Sequence, residues 1–399
     1  MPRHLLDLPL EIFQQIVHQL VTDFGVVEAW KLREVCPIFA TEIHYDIFTH
    51  RPTEVLQPVR DRKLVKRNMG IFLYNRLNAP LDARPSIIAR LKELLEFLIC
   101  ELNIDGHDQR QKCARKLCEG LASNHNLQFF LWNDQSFSER ALTGPLTVDQ
   151  KIAAAIAVGA HEIVGPLLRS EDSTLSGVFG NNLHIAIHRG DECIINALMA
   201  FYPQGLMRLI VAGKIAIEAY KPDVLELLLE RIQQHPEFHL EFRQRLLIHA
   251  ASIGNIPAID VILKAKANGQ KPLVRREVHI ICQHGTVNVV AHYLKTGRID
   301  AKTTYHNTSV LIAATKSKDV SKVRAVLDAG ADINKMTTDK RSALFVASKA
   351  QDRAMVQYLL SCGADTDTTE WPGHEVARSY LESELAEAKA AESQAAQNK

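Results

Sequence analysis

Gly213-Lys214 is the first pair in the chain that invites a chemical reading, because a Gly-Lys step closes the loop that cradles nucleotide phosphates. That loop also needs a glycine five residues upstream, so that backbone N–H groups can curl round the phosphates, and a Ser or Thr next to hold Mg²⁺. Arg208 and Ile215 stand in those places. His161-Glu162 and His374-Glu375 begin like the zinc-binding helix of metalloproteases but lack its second histidine one turn later. No Gly-x-Ser-x-Gly elbow occurs to present a serine nucleophile. Cys113 and Cys118 lie on a predicted helix about 140° apart, too far round to act as one pair. The seven cysteines are odd in number and scattered without a Cys-x-x-Cys step, which points to reduced thiols rather than a disulfide framework or a zinc ribbon. No catalytic residue, cofactor site or metal ligand set is predicted, and the expectation is a non-enzyme.

Charge narrows the partners. The formal net charge of +1 supplies no field to gather nucleic acid or an anionic membrane, and no aromatic side chains interleave with basic ones. The densest basic run, Arg60-Asp61-Arg62-Lys63 with Lys66-Arg67, reads as a solvated helix face, with a basic targeting signal as the other reading. No apolar run reaches the 18 or so residues of a membrane span, and charged or polar residues interrupt every short N-terminal window. A soluble intracellular protein is expected, cytoplasmic or nuclear, and a monomer until it meets a partner.

The chain's organisation comes from self-comparison. LHIAIHRG (183–190) and VHIICQHG (278–285) share one frame with IAAAIAVG (152–159) and LIHAASIG (247–254); LIAATKSK (311–318) and LFVASKAQ (344–351) keep the frame but lose the final glycine. Five residues past that place stand Val164, Ile195, Ile259, Val290, Val323 and Val356, each followed by aliphatic residues. The physical reading is a helix, a tight turn and a second helix per unit. Ala155, Ala186, Ala250, Ala314 and Ala347 sit where the helices approach closely. Gly330 and Gly363 suit left-handed caps after the second helix, and Asp332, Asn334, Asp365 and Asp367 favour the turn into the next unit. One such pair cannot bury its apolar face; a stack can.

This pattern resembles the ankyrin repeat, with its T-P-L-H-x-A signature and period of about 33 residues. Leu183-His184-Ile185-Ala186 matches the heart of the signature, and the segments from Ser309 and Ser342 keep its frame without the Pro and His. The resemblance spans 147–390, with about seven repeats, a degenerate one near 213–231, and a C-terminal cap through Ala377 and Leu381. It assigns His184 and His279 to loop bonding rather than chemistry, and it implies that a protein substrate is gripped by the concave face. His188, Gln283, Lys316 and Lys349, two residues before each unit's glycine place, are the groove candidates. Residues 391–399 are expected to form a disordered tail.

The first 50 residues form another pattern. HLLDLPLEIFQQIVHQL (4–20) is a short amphipathic helix with Asp7 as its expected cap and Ile12, Phe13, Ile16, Val17, Leu20 and Val21 as its apolar face. Two short helices follow, over Val26–Cys36 and from Pro37 onward. Leu8-Pro9-x-Glu11-Ile12, Ile16, Leu20, then Leu32-Arg33-x-Val35-Cys36 and Phe39, resemble the F-box, although Asp23-Phe24-Gly25 lengthens the first connection and Pro37 replaces a basic residue. The resemblance implies that Leu8, Pro9, Ile12, Ile16, Leu20, Leu32, Val35, Cys36 and Phe39 form or support a face that binds the Skp adaptor of a cullin–RING ubiquitin ligase. The alternative reading is a three-helix cap that packs on its own chain, leaving a repeat scaffold with no ligase role.

Residues 51–146 are predicted as a helical connection that includes decayed repeats in one reading. Its helices are SIIARLKELLEFLICEL (86–102), with a stripe of Ile88, Leu91, Leu95, Leu98 and Leu102, then Arg110–Ala122 and Leu127–Trp132. The fold class expected for the whole chain is all-α: a three-helix F-box-like module over 1–50, the connection, and an ankyrin solenoid over 147–390.

Overall fold

A computed structural model describes residues 5–51, 59–78, 85–122, 144–170, 176–177, 179–201, 205–234, 240–264, 275–305, 308–367, 371 and 374–397. The predicted helix Leu127–Trp132 lies outside these residues. The fold is all-α, and its β-structure among the described residues is two minimal hairpins, Ser176–Gly177 with Gly180–Asn181 and Thr304–Tyr305 with Thr308–Ser309. The chain divides into two compact units, Met1–Gln204 and Gly205–Lys399.

The first unit begins with helices α1 (Leu10–Phe24), α2 (Val26–Lys31) and α3 (Pro37–Tyr45), the last continuing as a π-helical turn over Asp46–His50. Pro9, not Asp7, is the N-cap residue of α1, and it makes no side-chain capping hydrogen bond. Proline holds the entering backbone extended there, which favours a helix start. Cys36 caps α3, its sulfur accepting from the Phe39 N–H at 3.4 Å, with Pro37 in the first turn as expected. Helices α4 (Val59–Arg67), α5 (Met69–Asn78), α6 (Pro85–Glu101) and α7 (His107–Ala122) follow, and then the pairs α8 (Val148–Val158) with α9 (His161–Leu168) and α10 (Asn182–Arg189) with α11 (Glu192–Phe201). Helices α5, α7, α8 and α10 pack in one row. Helix α7 is therefore covered on several sides, which is why Cys113 and Cys118 are both buried although they point in different directions. The row is close-packed: a Cβ placed on Gly120 of α7 would lie 2.6 Å from the Cβ of Ala157 on α8. In α6 the buried stripe runs through Ile88, Leu91, Leu94 and Leu98, while Leu95, and Leu102 just past the helix end, are only half-buried.

The second unit is a stack of helix pairs: α12 (Leu206–Glu218) with α13 (Pro222–Gln234), α14 (Leu240–Ile253) with α15 (Ile256–Lys264), α16 (Arg275–His284) with α17 (Val287–Lys295), α18 (Val310–Thr315) with α19 (Val320–Asp328), and α20 (Ala343–Lys349) with α21 (Arg353–Ser361). The long helix α22 (Glu375–Gln397) packs on the last pair. First helices stack on first helices from α12 to α22. The physics read from the sequence is visible residue by residue. Ala250, Ala314 and Ala347 are buried between first helices, and Ile259, Val290, Val323 and Val356 are fully buried on second helices. Ser309 and Ser342 cap α18 and α20, each hydroxyl accepting from an N–H at 3.1 Å. Gly330 and Gly363 adopt φ of +88° and +86°, and Asn334 Oδ1 accepts from the Asp365 N–H at 2.8 Å, joining one turn to the next. Ala and Glu propensity carries α22 through Gln397, so a helix stands where the sequence predicted a tail from 391.

Candidate protein-docking surfaces

Helix α1 carries two apolar stripes, and the fold treats them differently. Phe13, Val17 and Val21 are buried. Phe13 meets Phe39 edge-on with ring centroids 5.4 Å apart, so Phe39 belongs to the core and supports the outer surface from beneath. Ile12, by contrast, is 44% exposed and Val35 67% exposed. Leu5, Leu6, Leu10 and Ile38 are also exposed, as is Pro9, while Leu8, Ile16, Leu20, Leu32 and Cys36 are half-buried. The predicted docking residues thus separate into a surface set around Leu8, Pro9, Ile12 and Val35 and a supporting set of Cys36 and Phe39. So many exposed aliphatic side chains within about 35 residues exceed the scattered singles of an ordinary surface.

A polar network holds this module in shape. Arg51 Nε donates to Asp46 Oδ2 at 2.8 Å, and Asp46 Oδ1 lies 2.6 Å from His18 Nδ1 on α1. Arg51 also donates to the His18 carbonyl and to Thr22 Oγ1. The fully buried Arg76 of α5 donates to the Phe48 carbonyl at 3.1 Å and to the Arg51 carbonyl, which occupies the open end of the π-helical turn. Trp30, His44 and Phe48 cluster beside it, and burial, reinforced by the Arg33 guanidinium, holds the His44 imidazole below its ordinary pKa. The sequence signalled none of this, because Asp46 and Arg51 bracket one short turn while His18 and Arg76 come from other elements with no periodic relation to it.

On the repeats, His188 and Gln283 are half-buried, and Lys316 and Lys349 are exposed at the ends of α18 and α20. The Gln283 carbonyl accepts from Lys322 Nζ at 3.3 Å; Lys322 is buried, and burial lowers its pKa. An Arg243–Glu277 ion pair at 2.8 Å, with both side chains largely buried, joins α14 to α16. These contacts tie neighbouring helix pairs together. Among the described residues no group of His, Cys, Asp and Glu could hold a metal ion, and no helix is long and apolar enough to cross a membrane. Burial pushes the thiols of Cys118 and Cys282 up to about 12, which leaves them protonated and unreactive near neutral pH.

The second unit, with its stacked helix pairs, has the architecture of a helical repeat. Residues 278–370 match the family model of ankyrin repeats, in three copies. The crystal structure of the ankyrin repeat domain of Bcl-3, of the IkappaB protein family, is similar over 49% of this chain and 89% of that one, at 21% identity and a TM-score of 0.31. The human ASB11 ankyrin repeat domain is similar over 54% of this chain and 98% of that one, at 17% identity and a TM-score of 0.35. No curated protein matches the sequence. The family match places ankyrin repeats at residues 278–370, and such repeats suggest a role in binding other proteins.

Proposed function

We propose that this chain is a non-enzymatic substrate-recognition subunit of a Skp–cullin–F-box ubiquitin ligase. In this reading the N-terminal module docks on the Skp adaptor and the repeats hold a protein substrate. The observation that carries it is the division of α1: Phe13, Val17 and Val21 satisfy the module's own core, while Leu10 and Ile12 on α1 stay in solvent with Leu5, Leu6, Val35 and Ile38 nearby in the chain. These six side chains are 43–67% exposed, so covering them is worth roughly half of the 1.5–3 kcal/mol of a fully exposed one, a gross ~4.5–9 kcal/mol to set against an association cost of several kcal/mol. A helix laid in an apolar groove is the contact that such a surface makes.

The alternative, a repeat scaffold whose N-terminal helices only cap the chain, has one observation in its favour: Arg76 bolts the module to α5 from within the same unit. Co-expression of the full chain with a Skp adaptor, followed by gel filtration, separates the two. The ligase reading expects co-elution, and expects Ile12→Asp with Val35→Asp to abolish it without lowering the unfolding midpoint, because both side chains are exposed. Absence of co-elution by the unaltered chain sinks the ligase reading. The substrate candidates His188, Gln283, Lys316 and Lys349 are tested by their Ala variants against whatever protein is captured in a Skp-dependent complex.

A further inference from the structure

We infer that the basic run at the start of the connecting region forms a second docking site, which takes an acidic, partly apolar segment of a partner protein. Lys63, Lys66 and Arg67 stand at i, i+3 and i+4 on α4, so they share one face, while Leu64 and Val65 turn inward and are buried. All three cations are exposed, and among the described residues no carboxylate forms an ion pair with any of them. Like charges at this spacing repel, and no ion pair of these three cations among the described residues offsets that cost. The three line a cleft of about 620 Å³ together with Asn68, Met69, Gly70, Ile71, Glu119 and Ala122. Three cations against the single carboxylate of Glu119 leave the cleft net positive. Met69, Ile71 and Ala122 give it an apolar floor. Charge complementarity calls for acidic side chains, and the floor calls for an aliphatic one between them. A nucleic acid would instead want exposed aromatic faces for its bases, and the lining has none. The site is on α4, α5 and α7, apart from the residues assigned above to adaptor or substrate, and it stands or falls independently of the ligase reading.

The test uses the full chain and fluorescence anisotropy with three labelled probes of equal length: a peptide of Glu, Asp and Leu, a peptide of Lys and Leu, and oligothymidylate. The acidic peptide should bind, and binding should weaken as NaCl rises from about 50 to about 300 mM. Lys63→Glu with Lys66→Glu should weaken it at least tenfold, about 1.4 kcal/mol, while Lys295→Glu with Lys335→Glu, the same charge change at exposed sites elsewhere, should not. Lys63→Gln with Lys66→Gln should give a smaller loss and decides the matter if the charge-reversed variant misfolds. No binding of the acidic peptide, or equal loss in the control variant, overturns the proposal. So does tighter binding of oligothymidylate that the same two lysines control, which would make the partner a nucleic acid.

Discussion

Arg51 and Asp46 face each other at 2.8 Å with only 7% of each side chain exposed, five residues apart across a π-helical turn. The pair joins α1, α3 and α5, because Asp46 also meets His18, and the Arg51 carbonyl accepts from Arg76. Arg51→Ala leaves a buried carboxylate without its cation, and should cost about 3–5 kcal/mol. Chemical denaturation measures the loss. Hydrogen exchange locates it: amides of residues 10–51 should exchange faster, while those of residues 343–361 keep their protection. An Arg51→Ala protein of unchanged stability would show that the turn is held by packing alone.

Left-handed turns offer a second test. Gly159, Gly190 and Gly254 sit at φ near +81° to +85° after the first helix of their pairs, and Tyr220, Lys318 and Gln351 hold the same kind of turn at +54°, +59° and +52°. A side chain in this region costs roughly 1–2 kcal/mol, while glycine gives back up to about 1 kcal/mol through the unfolded chain. Lys318→Gly and Gln351→Gly should therefore each raise stability by about 0.5 kcal/mol. Gly190→Ala should lower it by about 1 kcal/mol. Urea midpoints at fixed slope decide; a destabilising Gln351→Gly would mean that contacts of the glutamine outweigh its backbone strain.

Gly120 tests the packing of the connecting region. Its missing Cβ would meet Ala157 side chain and backbone at 2.6–2.8 Å. Backbone cannot yield as a flexible side chain can, so Gly120→Ala should cost about 1–3 kcal/mol. Gly106→Ala is the control, since no atom lies within 4 Å of its added Cβ; only its positive φ opposes the change.

The cysteines provide a pH test. Cys118 and Cys282 have thiol pKa values raised from 9.0 to about 12 by burial, and burial with the Asp260 hydrogen bond pushes the Tyr293 phenol up as well. A raised folded-state pKa means that the unfolded chain gives up its proton first. Stability from these groups is intact below about pH 9 and falls between about 9 and about 12. Thermal unfolding across that range should show the fall, and Cys118→Ala with Cys282→Ala should flatten it. At neutral pH, a thiol reagent should label the exposed Cys100, Cys193 and Cys362 in the native protein, and reach Cys118 and Cys282 only on unfolding.

The repeat units were legible because each repeats one physical solution. A small residue where helices touch and an aliphatic anchor five residues past the turn recur every 30–34 residues, and a recurring pattern is visible without coordinates. Lys318 and Gln351 show its limit: the turn survives without its glycine, so a missing glycine did not mean a missing turn. The Arg51–Asp46–Arg76 network left no trace in the sequence, because arginine and aspartate in a short stretch are ordinary surface residues until three helices close over them.

By itself, then, the sequence determined the all-α class, the frame of the helix pairs and the amphipathicity of residues 10–24, since these follow from local periodicity. It could not divide the apolar face of α1. Ile12 and Phe13 are equally apolar neighbours about 100° apart on the helix. Only the packing of Phe39 against Phe13, together with the closure of the π-helical turn on α1, decided that one was covered and the other left exposed.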